Sequence, residues 1–117
     1  MNRRDTQLIH EIREYLDANI FQSHSIEGLC RRFNINREKI QSGFHELLHC
    51  TVHAYIVRQR IGHAARLLLE TDDAIKAIAV DCGYKKQRSF NKTFKAIYHT
   101  TPATYRRLRW ERVESSK

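Results

Sequence analysis

The sequence has few of the residues that mark cross-linked, repetitive or membrane-spanning proteins. Its three cysteines, Cys30, Cys50 and Cys82, are odd in number and widely spaced, which excludes a disulfide framework and a CxxC zinc site. One proline and four glycines exclude collagen-like and low-complexity chains. The longest purely apolar runs, Leu67–Leu69 and Ala77–Val80, are far shorter than the ~20 residues that cross a bilayer. We therefore expect no membrane span, and we expect the cysteines to be small core residues.

We also expect no secretory signal at the N-terminus. Its basic residues are followed by no apolar stretch in the opening run MNRRDTQLIHEI, which favours a cytoplasmic protein. The length of 117 residues is close to that of one domain.

Acidic residues are missing from one long segment. Lys and Arg number 21 against 13 Asp and Glu, giving a net charge of +8. The whole excess lies between Cys82 and Trp110, where eight basic residues occur and no acidic one, whereas the rest of the chain balances at 13 against 13. Because a solvated helix surface normally mixes both signs, this segment favours a polyanionic partner, with nucleic acid as the first candidate. The eight residues are Lys85, Lys86, Arg88, Lys92, Lys95, Arg106, Arg107 and Arg109.

Helical periodicity runs along nearly the whole chain. Apolar residues recur at i, i+3, i+4 and i+7, and no stretch shows the period-2 alternation of a β-strand. Polar residues suited to helix capping divide the pattern: Ser25 precedes the second helix, Asp73 the fifth, and Thr101 with Pro102 the seventh. The pattern predicts an all-α fold.

The second half of the chain repeats the first. The apolar spacing of residues 26–48 recurs in residues 75–98, first at an offset of 49 residues and then at 50. Tyr55 and Tyr105 extend the match, each 11 residues beyond its phenylalanine. Two copies of a helix-turn-helix unit are therefore predicted, a motif whose second helix lies in the major groove of DNA. The matched pairs are Ile26 and Ile75, Leu29 and Ile78, Cys30 and Ala79, Phe33 and Cys82, Ile40 and Phe90, Phe44 and Phe94, Leu47 and Ile97, and Leu48 and Tyr98.

These motifs resemble the DNA-binding domain of the AraC/XylS family of bacterial transcription activators. In that family, the second half of the DNA-binding domain commonly has the sequence I-A, three residues, G-F, then a helix with F and F-K, then T-P and Y-R. The corresponding residues of this chain are Ile78-Ala79 with Gly83-Tyr84, then Phe90, Phe94-Lys95, Thr101-Pro102 and Tyr105-Arg106. The middle of the family pattern reads Y, R and A, with four and three residues between them. Tyr55, Arg60 and Ala64 fit this spacing.

The resemblance covers residues 8–109 and implies an all-α fold of seven helices, which form two helix-turn-helix subdomains joined by a long linker helix. The first helix-turn-helix is expected at about 26–48, the linker helix at about 52–70, the second helix-turn-helix at about 74–98 and a closing helix at about 102–110. Each recognition helix would lie in a successive major groove.

Outward positions at the start of each recognition helix are the candidate DNA contacts. Gln and Asn pair bidentately with adenine, Arg pairs with guanine, and Glu accepts from the cytosine amine. The resemblance implies groove-facing roles for Glu38, Gln41 and Ser42 in the first unit. It implies the same for Gln87, Arg88 and Lys92 in the second unit. With the adjoining outward positions, the predicted DNA-binding set is Arg37, Glu38, Gln41, Ser42, Lys86, Gln87, Arg88, Asn91 and Lys92.

Departures from the family pattern fall in the first unit, which is therefore the weaker match. Cys30 stands where the family favours Ala, and His49 and Val52 stand where it favours Gly and Pro. Within these 117 residues we expect no ligand-sensing and dimerisation domain of the kind that many members have. The chain resembles the short stand-alone activators, or the C-terminal part of a larger regulator.

We therefore expect a sequence-specific DNA-binding transcription regulator, an activator, with no enzymatic activity, cofactor or metal. The expected partners are double-stranded DNA and RNA polymerase, and we expect no binding to membranes. The chain should bind DNA as a monomer unless a domain outside this sequence dimerises it. His45, His49 and His53 recur at a spacing of four and could bind a transition metal on one helical face. The resemblance instead places a helix break near His49, which would separate the three imidazoles.

Two other functions stay open. A basic helical protein could bind nucleic acid or anionic membrane by charge alone, regardless of sequence. An interaction adaptor could dock on a polymerase subunit or on another regulator. Competition with unrelated DNA separates the first from a sequence-specific regulator, and the second would keep its function with Arg88 changed.

Overall fold

All regular secondary structure among the residues that the structure describes is helical. The computed structural model describes residues 1–115, with side chains described as far as Glu111. Within that range the predicted all-α fold of seven helices is confirmed, and no helix is long and apolar enough to cross a membrane. The helices are α1 (Arg3–Ala18), α2 (Ile26–Phe33), α3 (Arg37–Leu48), α4 (Val52–Glu70), α5 (Ile75–Asp81), α6 (Gln87–Tyr98) and α7 (Pro102–Ser115).

Polar caps set most of the helix starts. Ser25 and Thr101 precede α2 and α7 as predicted, and each side-chain oxygen accepts from the backbone N–H three residues further on. The predicted cap at Asp73 is wrong. Ala74 is the N-cap residue of α5 and makes no side-chain capping bond, while the N–H of Asp73 donates to Thr71 Oγ1 at 3.3 Å within the preceding turn.

The first unit extends from Met1 to Gln59 and has one apolar core. Phe44 of α3 is fully buried and meets Tyr55 of α4 edge to face, with ring centroids 5.9 Å apart. Gly43 allows α1 and α3 to approach closely, because a Cβ at this position would lie 2.5 Å from Ile9 Cδ1. The core consists of Ile9, Ile12, Leu16, Leu29, Ile35, Ile40, Phe44, Cys50, Val52, Tyr55 and Ile56.

The second unit begins at Arg60, within α4, and is built in the same way. Phe94 of α6 meets Tyr105 of α7 edge to face at 5.4 Å, which repeats the contact between Phe44 and Tyr55. Phe94 also stacks on Tyr98 at 4.8 Å. The buried side chains of the second unit include Ile61, Ala64, Ala65, Leu68, Ile78, Ala79, Cys82, Phe90, Phe94 and Pro102.

The internal repeat is visible in the helix bounds. Both α3 and α6 have 12 residues, and they begin 50 residues apart. The C-caps of these two helices, His49 and His99, adopt the left-handed conformation with φ of 57° and 64°. Histidine tolerates this conformation better than most residues do, so the glycine that the family pattern favours at position 49 is not required there.

Candidate nucleic-acid interface

The turn between α5 and α6 orients the second recognition helix. Gly83 has a φ of 92°, a left-handed conformation that glycine adopts without steric cost. The N–H of Tyr84 then donates to the carbonyl of Ala79 at 2.9 Å, and its ring packs edge to face on Phe90 at 5.6 Å. Because Phe90 is fully buried, the opposite face of the first turns of α6 lies toward solvent.

That solvent-facing surface carries most of the predicted contacts. Gln87, Arg88 and Lys92 are exposed on α6, and Lys86 is exposed at its N-cap. In the part of the chain that the structure describes, none of the three cations in this group makes an ion pair. Their charge is therefore available to an external anion.

Asn91 differs from the other predicted α6 contacts. Its side chain is half-buried, and Oδ1 is buried without a hydrogen-bond partner. Asn91 directly follows Phe90 and lies three residues before Phe94, so it sits at the edge of the apolar face rather than opposite it. The structure therefore does not bring the Asn91 oxygen to the surface that Arg88 occupies.

The first recognition helix also presents its predicted residues to solvent, with less free positive charge. Glu38, Gln41 and Ser42 are exposed on α3. Arg37 is exposed as well, and its Nη1 donates to Glu27 Oε1 at 3.0 Å. Because both partners of this ion pair are more than 60% exposed, it adds little stability, but it partly offsets the charge of Arg37.

The two units differ in net charge. Residues 1–59 contain eight Lys and Arg against seven Asp and Glu, a net charge of +1. Residues 60–117 contain 13 against six, a net charge of +7. Attraction to a polyanion is therefore concentrated in the second unit.

Arg106 contacts the protein backbone, although its charge grouped it in the sequence with the cations that face a polyanion. It is half-buried, and its guanidinium donates to three backbone carbonyls: Leu68 at 2.9 Å, Thr71 at 3.1 Å and Asp73 at 2.8 Å. These hydrogen bonds join residues 33 to 38 positions apart, so helical spacing does not reveal them, and only the Y-R motif at Tyr105-Arg106 sets this arginine apart from the other cations.

The histidines and cysteines form no metal centre within the described residues, where no group of three or more His, Cys, Asp or Glu could hold an ion. His49 is the C-cap residue that follows α3, whereas His45 and His53 line a cavity of about 360 Å³ together with Gln41. Cys50 and Cys82 are buried as expected, but Cys30 is only half-buried. Burial, with a smaller contribution from Asp81, raises the pKa of the Cys82 thiol to about 11, which keeps it protonated and unreactive.

The chain is similar in sequence to helix-turn-helix regulatory proteins. The family model described as a helix-turn-helix domain matches residues 29–108. The regulatory protein SoxS of Salmonella typhimurium is 31% identical over 100 residues, which are 86% of this chain and 94% of SoxS. The HTH-type transcriptional activator RhaR of Mannheimia succiniciproducens is 26% identical over 102 residues, which are 87% of this chain and 37% of RhaR. The chain thus spans nearly all of one relative and about a third of the other.

Among solved structures, the chain is similar to a transcriptional regulator with an AraC-type DNA-binding domain from Chromobacterium violaceum. The TM-score is 0.82 at 23% identity, and the match covers 92% of this chain and 96% of that one. At this identity the similarity shows a shared fold.

Proposed function

The chain belongs to the AraC/XylS family of helix-turn-helix transcription regulators, and we propose that it reads double-stranded DNA through α3 and α6, each placed in a major groove. Its function is sequence-specific DNA binding in transcription regulation, and it is not an enzyme. The observation that carries the proposed geometry is the exposed surface at the start of α6, whose cations make no ion pair among the residues that the structure describes and which lies in a segment without acidic residues.

In the second unit we assign base reading to Gln87 and Arg88. The guanidinium of Arg88 matches O6 and N7 of guanine, and the Gln87 amide matches N6 and N7 of adenine. Both side chains are exposed in the first turn of α6, the part of a recognition helix that approaches base edges. Lys86 and Lys92 flank them and would bind phosphates, which position the helix without reading sequence.

In the first unit we assign base reading to Glu38, Gln41 and Ser42. Glu38 can accept from a cytosine amine, but its charge opposes the approach of phosphates. Arg37 beside it would bind a phosphate only after its ion pair with Glu27 loosens. Because this unit has a net charge of only +1, we expect it to add selectivity more than affinity.

We further propose that the chain is an activator that binds DNA as a monomer and contacts RNA polymerase in the cytoplasm. The relative RhaR is a transcriptional activator, which supports activation. Monomeric binding is supported by the presence of two different recognition helices in one chain, which supply two half-sites without a dimer axis.

A competition experiment tests sequence-specific binding against binding by charge alone. A labelled duplex recovered by selection is bound to the full chain at physiological salt and displaced either by the same unlabelled duplex or by unrelated DNA. We expect the unrelated DNA to require at least about a 1,000-fold higher concentration. Equal displacement by both competitors would support the sequence-independent basic protein instead.

A further inference from the structure

The corner between α4 and α5 is held by residues from a distant helix. α5 has no side-chain capping bond at its N-terminus, because the residue before it is Ala74. At the end of α4, the carbonyls of Leu68 and Leu69 accept hydrogen bonds from Arg106 and Trp110 of α7. Polar groups that a helix normally satisfies with its own caps are therefore satisfied by α7.

Arg106 is suited to this position by its geometry and its charge. Its planar guanidinium reaches carbonyls on both sides of the corner, Leu68 in the last turn of α4 and Asp73 just before α5. A cation at a helix C-terminus is also attracted by the negative end of the helix dipole. Trp110 covers the guanidinium, with the Arg106 Cζ 5.3 Å from the ring centroid.

We propose that Arg106 is a positioning residue for the second recognition helix. By fixing the turn at residues 71–74, it sets where α5 begins. α5 in turn supports α6, because Ile78 and Ala79 are buried in the core of this unit and Ala79 accepts from Tyr84 in the turn before α6. This inference rests on the proposed role of α6 in reading DNA, and it removes Arg106 from the residues that contact DNA.

Arg106→Ala and Arg106→Lys test this role, with Arg107→Ala as the charge-matched control from the next position of α7. Arg107 is exposed. Trp110 is the only tryptophan, so its fluorescence reports the corner directly and without DNA. We expect both Arg106 variants to shift Trp110 emission to the red and to increase its quenching by acrylamide, because lysine cannot bridge the same carbonyls. Arg107→Ala should leave both signals unchanged.

DNA titrations at several salt concentrations supply the second measurement. Both Arg106 variants should lose about tenfold in affinity for a selected duplex, lose less on random duplex, and keep the salt dependence of the wild type. If alanine unfolds the chain, the lysine variant decides, since a phosphate contact would tolerate lysine. Unchanged fluorescence, with equal losses on both duplexes and a shallower salt dependence, would overturn the proposal. The fluorescence is measured without DNA, so it tests the contacts of Arg106 at the corner separately. If α6 does not read DNA, the fluorescence still changes but the selected and random duplexes lose affinity equally.

Discussion

Raising the salt concentration from 50 to 200 mM should weaken DNA binding by about 500-fold. The segment between Cys82 and Trp110 holds eight cations. Arg106 is occupied by backbone carbonyls, and the Arg109 guanidinium lies over the Tyr105 ring at 5.4 Å. Arg88 is assigned to a base. The five that remain for phosphates are Lys85, Lys86, Lys92, Lys95 and Arg107, all exposed.

Each phosphate contact releases counterions and contributes about −0.9 to the slope of log K against log salt. Five contacts give a slope of about −4.5, and a fourfold rise in salt then lowers K by about 10^2.7. Anisotropy titrations of a labelled duplex measure this slope, and Lys92→Ala should make it shallower by about 0.9. A wild-type slope shallower than about −2, or a Lys92→Ala slope equal to that of the wild type, would refute the assignment of these cations to phosphates.

Three further predictions concern base reading, site geometry and stability. Arg88→Ala should weaken the free energy of binding to the best site by about 1 to 3 kcal/mol and relax base selectivity at one position. Lys95→Ala should lower the affinity for all DNA sequences alike. Equal losses of affinity on specific and random DNA would make Arg88 a phosphate contact. Inserting five base pairs between the two protected half-sites puts them on opposite faces of the duplex and should weaken binding; unchanged affinity would mean that only one unit engages DNA. Burial, aided by a 2.6 Å hydrogen bond to Asp17, raises the pKa of Tyr55 from 10.0 to about 12. The unfolded chain therefore loses this proton first, so roughly 2 to 3 kcal/mol of stability should be present below pH 10 and lost between pH 10 and 12. In urea unfolding, the stability difference between the wild type and Tyr55→Phe should shrink over that window, and a constant difference would contradict the raised pKa.

The elements predicted from the sequence are those whose signals are local. The repeat rests on apolar spacing within single helices, and Ile40 and Phe44 in α3 are buried like Phe90 and Phe94 in α6. Ser25 acts on a backbone group only three residues away. Such contacts are fixed by helix geometry, so the sequence pattern contains them.

Three features of the structure were not predicted from the sequence, and the first of them depends on contacts across the fold. Arg106 has the same charge as its neighbour Arg107, but Arg106 donates to the carbonyls at the α4–α5 corner whereas Arg107 is exposed. Helical spacing relative to Phe90 and Phe94 predicts an outward Asn91, but its side chain is half-buried at the edge of the apolar face. The cap expected at Asp73 fails because α5 begins two residues later, at Ile75.

Selection of bound sites from random duplex DNA tests the central claim most directly. The full chain and Arg88→Ala are each carried through the same rounds at physiological salt, and the recovered duplexes are sequenced. Because α3 and α6 carry different reading residues, we expect one asymmetric site with two half-sites centred about 10 to 10.5 base pairs apart. The Arg88→Ala pool should lose preference at one position of one half-site. Recovery of unenriched sequence by the wild type, or of identical sites by both proteins, would contradict reading of DNA through the surface of α6.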